Sequence, residues 1–245
     1  MDSDRKTARV AGALFITATI ASLLSSGFLN PILNSSDYLL KIFANQDRVV
    51  VGASFQLVAA FASAGIAISL YPVLRRHGEG FALGSVGFRI IEGMLYVVVA
   101  IDALLLLTLS QQFARAGAPL SSYFQSSGGL LLALRDRAGL AGVLAFYVGA
   151  LMYYRVFYQS KLIPRWLSGW GLGGAALGLV AGLLVLFRAT GYMSTTQVIL
   201  NIPIGVQEMV LAVWLIVKGF NSSAIGSRSV EPAAARVEPS STLAP

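Results

Sequence analysis

Apolar residues in this chain gather into long blocks instead of alternating with polar ones. Six blocks stand out, at 10–29, 49–74, 81–109, 138–157, 166–187 and 196–217. A helix crossing a bilayer needs about 20 mostly apolar residues, and every block reaches that length. The pattern predicts an all-α, polytopic transmembrane bundle of about six spans. The first block follows Arg5, Lys6 and Arg9 as a secretory signal would, but it exceeds the roughly 7–15 apolar residues of a signal core and reads as a retained span. The third block is long for one crossing and opens with Gly84, Gly87 and Arg89, which predicts tilt or a first turn in the interface.

The stretches between the blocks carry their own periodicity. Residues 37–45 put Leu39, Leu40, Ile42 and Phe43 on one arc opposite Asp37, Lys41 and Asn45, behind Ser36 as a cap; this spacing predicts a short interfacial helix. The Ser- and Gly-rich stretch 110–137 reads as an outer loop lying partly on the membrane surface. Residues 218–245 turn to Ser, Ala, Pro and charge, which predicts a disordered tail unable to bury enough apolar surface to fold.

Composition supports a membrane solvent. The chain is 56% hydrophobic and 12% charged, against roughly a quarter charged in ordinary soluble domains, and its mean hydropathy is +0.73. The net charge of +7 does not point to nucleic acid, because Lys and Arg sit in short loops and form no stripe. They carry topology instead. Eleven fall at the N-terminus, at 75–76, at 155–165 and in the tail, and six fall in the intervening loops. By the positive-inside rule both termini are cytoplasmic, in a multi-pass protein of the inner or plasma membrane whose first partners are its lipids. Trp166 and Trp170, with Tyr153, Tyr154 and Tyr158, read as an aromatic belt at the inner face.

Several chemistries fall away. Without cysteine there are no disulfides, thiolate metal sites or cysteine nucleophiles. The single histidine, His77, sits in a polar turn, too little for a zinc site, and no serine has an evident base beside it. No metal site, no cofactor and no catalytic residue is assigned, and enzymatic activity is disfavoured. Gly169, Gly171 and Gly174 match G-x-G-x-x-G, but no strand precedes them and they lie inside an apolar block, so the nucleotide reading lacks its context. Gly174, Gly178 and Gly182 recur every fourth residue and clear one face for close helix packing.

What remains is charge at membrane depth, where an ionisable side chain costs at least ~2.5 kcal/mol. Arg89 and Glu92 are i, i+3 neighbours in the third span, and Glu208 lies in the sixth. Counted at 1.5 Å per residue, both glutamates sit roughly 15–17 Å from the inner boundary. Each lies on a small or polar helical face: Ser85, Arg89, Glu92, Tyr96 in one span and Asn201, Gly205, Glu208, Ala212 in the other. The second span repeats the spacing with Gln56, Ala60, Ser63 and Ala67. The predicted buried polar cluster is therefore Arg89, Glu92 and Glu208 with Asn201, Gln56 and Tyr96, a site for a small-molecule or ion ligand or for a proton. One arginine cannot neutralise two glutamates there, which favours a shared or retained proton, with Glu208 the candidate for the neutral member. Asp102, two to three turns further out, is read as reaching the outer headgroups. Pro203 and Gly205 are expected to break the last span near Glu208.

The motifs GFRIIEG at 87–93, YYRVFYQSKLIPRWLSGWGLGG at 153–174 and QEMVLAVWLIVKGF at 207–220, with RKTARVAGALF at 5–15 and LYPVLRR at 70–76, resemble the domain of unknown function 4386 family. The likeness runs over roughly residues 5–220. It implies a bacterial multi-pass membrane protein and carries no activity with it. Two roles compete: a small transporter or proton-coupled permease built on the buried cluster, and a non-transporting module that binds lipid or a partner protein. An enzyme acting within the bilayer has only its carboxylates in favour.

Overall fold

A computed structural model describes residues 2–116, 121–191, 194–221 and 223–224. The described residues form six helices and no strand: α1 (Asp2–Leu33), α2 (Tyr38–Ala44), α3 (Gln46–Ala116), α4 (Ser121–Ser160), α5 (Arg165–Leu186) and α6 (Thr195–Val217). All except α2 are long and apolar enough to cross a membrane. The molecule is an all-α helical bundle.

The longest helix is two spans in one. At Gly78 the backbone leaves helical geometry, with φ 176° and ψ 85°, an extended conformation at which the chain folds back. The two limbs, 46–77 and 79–116, measure roughly 48 and 57 Å at 1.5 Å per residue, each beyond the ~30 Å hydrocarbon core. Their contacts run in opposite directions: Gln111 Nε2 donates to Gln46 Oε1 at 2.7 Å near the open ends, and Arg89 reaches Ser63 nearer the turn. The limbs are an antiparallel hairpin. With this hairpin α1 packs on α3, α3 on α4, α4 on α5, α5 on α6 and α6 back on α1, so the helices close a ring.

Small residues let the backbones approach. A Cβ at Gly93 would stand 2.9 Å from the Ala60 carbonyl oxygen across the hairpin, and one at Gly12 would stand 2.6 Å from the Ala212 carbonyl oxygen, joining α1 to α6. Side chains outside the ring are apolar, as at Leu23, Phe61 and Met94, whereas Ser63, Arg89, Glu92, Asp102 and Gln207 are buried. That inversion of the soluble pattern is what a lipid solvent requires.

Apolar packing is concentrated at both ends. At the end holding Gly78 and the α4–α5 turn, Leu74, Tyr154, Phe157, Leu162 and Leu215 are buried together. Lys161 takes a left-handed turn there at φ 58°, burying Leu162 and Ile163 before Pro164 precedes α5. The segment expected to be free from 218 onward is tied down at its start: Phe220 packs near Phe157, and the Asn221 amide donates to the Leu162 carbonyl at 2.8 Å. Residues 222 and 225–245, the remainder of the expected tail, lie outside the described residues.

The opposite end corrects the loop reading of 110–137. Both sides are helical, since α3 runs on to Ala116 and α4 starts at Ser121; serine and glycine lowered the helical signal, but tertiary contacts restore it. Tyr38 of α2 donates to the Gln125 carbonyl and packs on Gly128, and Arg135 Nη2 donates to Asn30 Oδ1 at 2.8 Å. The short helix begins after Asp37, not Ser36, and without a side-chain cap. It buries Tyr38, Leu39 and Ile42 against α1 and α3, leaving Leu40 and Phe43 exposed. In α6 the expected break does not occur: the helix runs through Pro203 from Thr195 to Val217, because one missing amide bends a helix without ending it when the rest of the ladder holds.

Candidate functional site

Five helical segments converge at the centre of the ring. From the second limb of α3, Arg89 Nη1 donates to Glu92 Oε2 at 3.0 Å and to Oε1 at 3.3 Å, one turn along the same helix. The same nitrogen donates to Ser63 Oγ of the first limb at 3.1 Å. Nη2 reaches across to Glu208 Oε1 of α6 at 3.2 Å. It also donates to the Tyr153 hydroxyl of α4 at 3.4 Å, and that hydroxyl in turn donates to Glu208 Oε1 at 3.4 Å. The guanidinium lies 4.6 Å from the Phe146 ring centre and 5.8 Å from that of Phe15, in reach of cation–π attraction. One residue thus gathers α1, both limbs of α3, α4 and α6.

The cluster is deep and uneven in charge. Arg89 is 3% exposed and the Glu208 side chain 14%. A single guanidinium faces two carboxylates, so full ionisation leaves one negative charge uncompensated in a medium that tolerates none. Glu208 is also under-used. Among the described residues both hydrogen bonds it accepts fall on Oε1, and the side chain is the more exposed of the two glutamates.

Beside the cluster lies a cavity of about 490 Å³, within the range of small-molecule sites. Arg89, Glu92 and Glu208 form its deep wall, and Tyr96, Gln197 and Asn201 line it toward the end of the bundle where α6 begins. Asn201 accepts a hydrogen bond from Tyr147. Thr19 and Ser22 of α1, Ser63 of α3 and Tyr147 of α4 add to the polar lining. The cavity lies between α1 and α6, which touch at Gly12 and Ala212 and stand apart beyond them. Its rim is Leu23, Val198 and Ile202, 67%, 47% and 53% exposed, so the cavity opens sideways between two lipid-facing helices.

Four expected members of the cluster besides Arg89 and Glu92 divide unevenly. Glu208 meets the arginine directly; Asn201 and Tyr96 line the cavity, and Gln56 lies outside its lining. Gln56 is half-buried, roughly 10 Å further along the first limb than Ser63, and Ser63 on the same face supplies the hydrogen bond instead. The glycine stripe of α5 serves two neighbours: a Cβ at Gly174 would stand 3.1 Å from the Ile204 backbone, whereas Gly178 faces the Tyr147 ring and Gly182 faces Leu144. Asp102 does not reach headgroups. It is 1% exposed and neither carboxylate oxygen has a hydrogen-bond partner among the described residues.

Sequence reasoning missed the tyrosines. Tyr153 and Tyr154 are fully buried rather than belted, while Tyr158 and Trp166 are exposed. The signal was present: Gly142, Phe146, Gly149 and Tyr153 repeat the spacing of the Arg89 face, with Tyr153 about 12 Å inside the turn at Lys161. The adjacent pairs Tyr153–Tyr154 and Gln207–Glu208 mate across the bundle, Tyr153 with Glu208 and Tyr154 with Gln207. Gln207 Nε2 continues to the Leu167 carbonyl of α5 at 3.0 Å. Among the described residues no group of three or more His, Cys, Asp or Glu side chains is placed to hold a metal ion.

The residues that build this centre fall within one family model, described as a domain of unknown function (DUF4386), which matches residues 10–219. The chain belongs to that family. No curated protein and no solved structure matches it. Membership in DUF4386 fits the apolar helices of a membrane protein and leaves the role of the centre to its geometry.

Proposed function

We propose that the chain is a small transporter or proton-coupled permease of the cell membrane, with the Arg89–Glu92–Glu208 cluster as its ligand and proton site. One observation carries this reading: the ion cluster walls a cavity of about 490 Å³ instead of closing into a dry contact. A purely structural clasp would have no use for the space, because a buried ion pair gains nothing from a void beside it. Both termini face the cytoplasm in this reading, so the cavity opens toward the outer leaflet. Reporters fused after Lys218 are then cytoplasmic and reporters within 121–127 external.

The test is flux. Proteoliposomes holding a pH-sensitive dye and the purified protein are given a pH gradient and, one at a time, amines, amino acids, sugars and monocarboxylates. Solute-dependent dissipation of the gradient, absent from protein-free liposomes and lost in Glu92→Gln and Glu208→Gln, is the expected result. The competing reading is a non-transporting module that binds lipid or a partner. Its specific support is the packed end of the bundle around Tyr154, Phe157 and Leu162, where the cavity lined by Lys161, Leu162 and Phe220 shares no residue with the cluster. Equal fluxes with and without protein across the panel favour the module.

A further inference from the structure

We infer that the cavity between α1 and α6 takes an amphiphile with one cationic amine head, entering sideways from the leaflet on the side of α2. This rests on the reading of the cluster as a ligand site and names the ligand's chemistry. Charge comes first. Two carboxylates share one guanidinium, and the guanidinium already spends both terminal nitrogens on protein acceptors. The cluster therefore has a deficit of positive charge and no terminal donor left for an anion. A carboxylate- or phosphate-bearing ligand meets two glutamates and a guanidinium whose terminal nitrogens are both taken, with only the buried Nε left unpartnered. A protonated amine meets Glu208, whose hydrogen bonds among the described residues all fall on Oε1, so Oε2 is open to an N–H donor from the cavity that Glu208 lines.

The walls set the rest of the molecule. Most of the lining is apolar, with Phe15, Ile66, Val143 and Phe146 among its residues. Rings near a cationic head add attraction, and the aliphatic walls favour a hydrocarbon body. The route follows from the rim. Leu23, Val198 and Ile202 are apolar and exposed, so a ligand arriving from water would cross them unfavourably and one already partitioned into lipid would not. Depth agrees: Glu208 lies eleven residues beyond Gln197, or roughly 16 Å along α6, so the head must travel inward past Asn201 while the body stays level with lipid tails.

The experiment uses the full chain in lipid nanodiscs and three probes with one body: 4-phenylbutylamine, 4-phenylbutanol and 4-phenylbutyrate. Binding is read by isothermal titration at neutral pH and by the rise in melting temperature. The amine should bind tightest, the alcohol more weakly and the acid least. Glu208→Gln should weaken the amine about ten- to a hundredfold, as loss of a charged hydrogen bond predicts, and leave the alcohol unchanged, which also shows that the variant is folded. Ser22→Trp, placed between rim and cluster, should abolish binding of amine and alcohol alike. Equal binding of the three probes, preference for the acid, or no binding by any overturns the inference, as does amine binding indifferent to Glu208. Amine binding without flux in any solute assay would instead remove the transport reading and leave the amine site standing.

Discussion

The two ends of this bundle are built from the same helices and treat the space between them in opposite ways. Toward Gly78 and the α4–α5 turn, α1 and α6 touch backbone to side chain at Gly12, Tyr154, Phe157, Leu162 and Leu215 are buried together, and the cavity lined by Lys161, Leu162 and Phe220 shares no residue with the cluster. Toward α2 the same two helices part around the cavity, while α4 stays packed on α2 through Gly128 and Tyr38 and on α3 through Phe124 and Phe113. The ion cluster stands at the boundary. The difference teaches that the opening beside the cluster lies at one seam, α1 against α6, apart from the cavity that Asp136, Arg137 and Val185 line between α4 and α5. A closed end that fixes five helix segments gives the cluster its geometry, and the open seam gives it access.

The strongest way to break this contrast is to remove the arginine that straddles it. Arg89→Leu leaves two carboxylates without their cation, and loss of one partner from a buried ion network costs about 3–5 kcal/mol; a fall in melting temperature and in monodisperse yield from nanodiscs or detergent is the expected outcome. Next comes the closed seam. A Cβ at Gly12 would stand 2.6 Å from the Ala212 carbonyl oxygen, so Gly12→Leu should cost about 1–3 kcal/mol by overpacking. At the open seam Gly205 has nothing within 4 Å of such a Cβ, and Gly205→Ala should stabilise by up to about 1 kcal/mol through helix propensity. Equal melting shifts at the two glycines would erase the distinction between the ends. Tyr154→Phe, which removes the hydroxyl bonded to Gln207, should lower stability by about 1 kcal/mol. Smallest of all is Glu208→Gln, expected within about 0.5 kcal/mol of the parent, since Arg89 and Glu92 remain a balanced pair. A large destabilisation there would recast Glu208 as part of the structural clasp.

Much of this was legible beforehand, and the reasons differ by feature. Block length exposed the spanning helices because the bilayer sets a minimum length. A shared depth and a shared helical spacing put Glu92 and Glu208 at one level, facing inward, and Arg89 follows from its i, i+3 position. Tyr153 and Tyr154 were misjudged because tyrosine is equally at home at an interface and beside a buried carboxylate, and only the neighbouring helix decides. Gln56 failed because a face is defined by angle while contact also depends on height; Ser63 has both. Asp102 failed because the loop after it was read as short of helix, and the added turns of α3 and α4 enclose it. The cavity has no residue of its own to announce it, since it is the gap left where α1 and α6 part.

The reach of Arg89 across the bundle also has a consequence in time. Its partner Glu208 lies 119 positions later in the chain, and at a synthesis rate of about 5–20 residues per second the ribosome delivers it about 6–24 s afterwards. During that interval the nascent α3 hairpin must sit in the membrane with its guanidinium already inserted. Glu92, three residues away on the same helix, and Ser63 on the preceding limb are both made by then or within a second, so the arginine enters with a counter-charge and an acceptor in hand. α6 then brings a second carboxylate to a charge that is already answered, which leaves Glu208 free of the task of carrying Arg89 into the membrane.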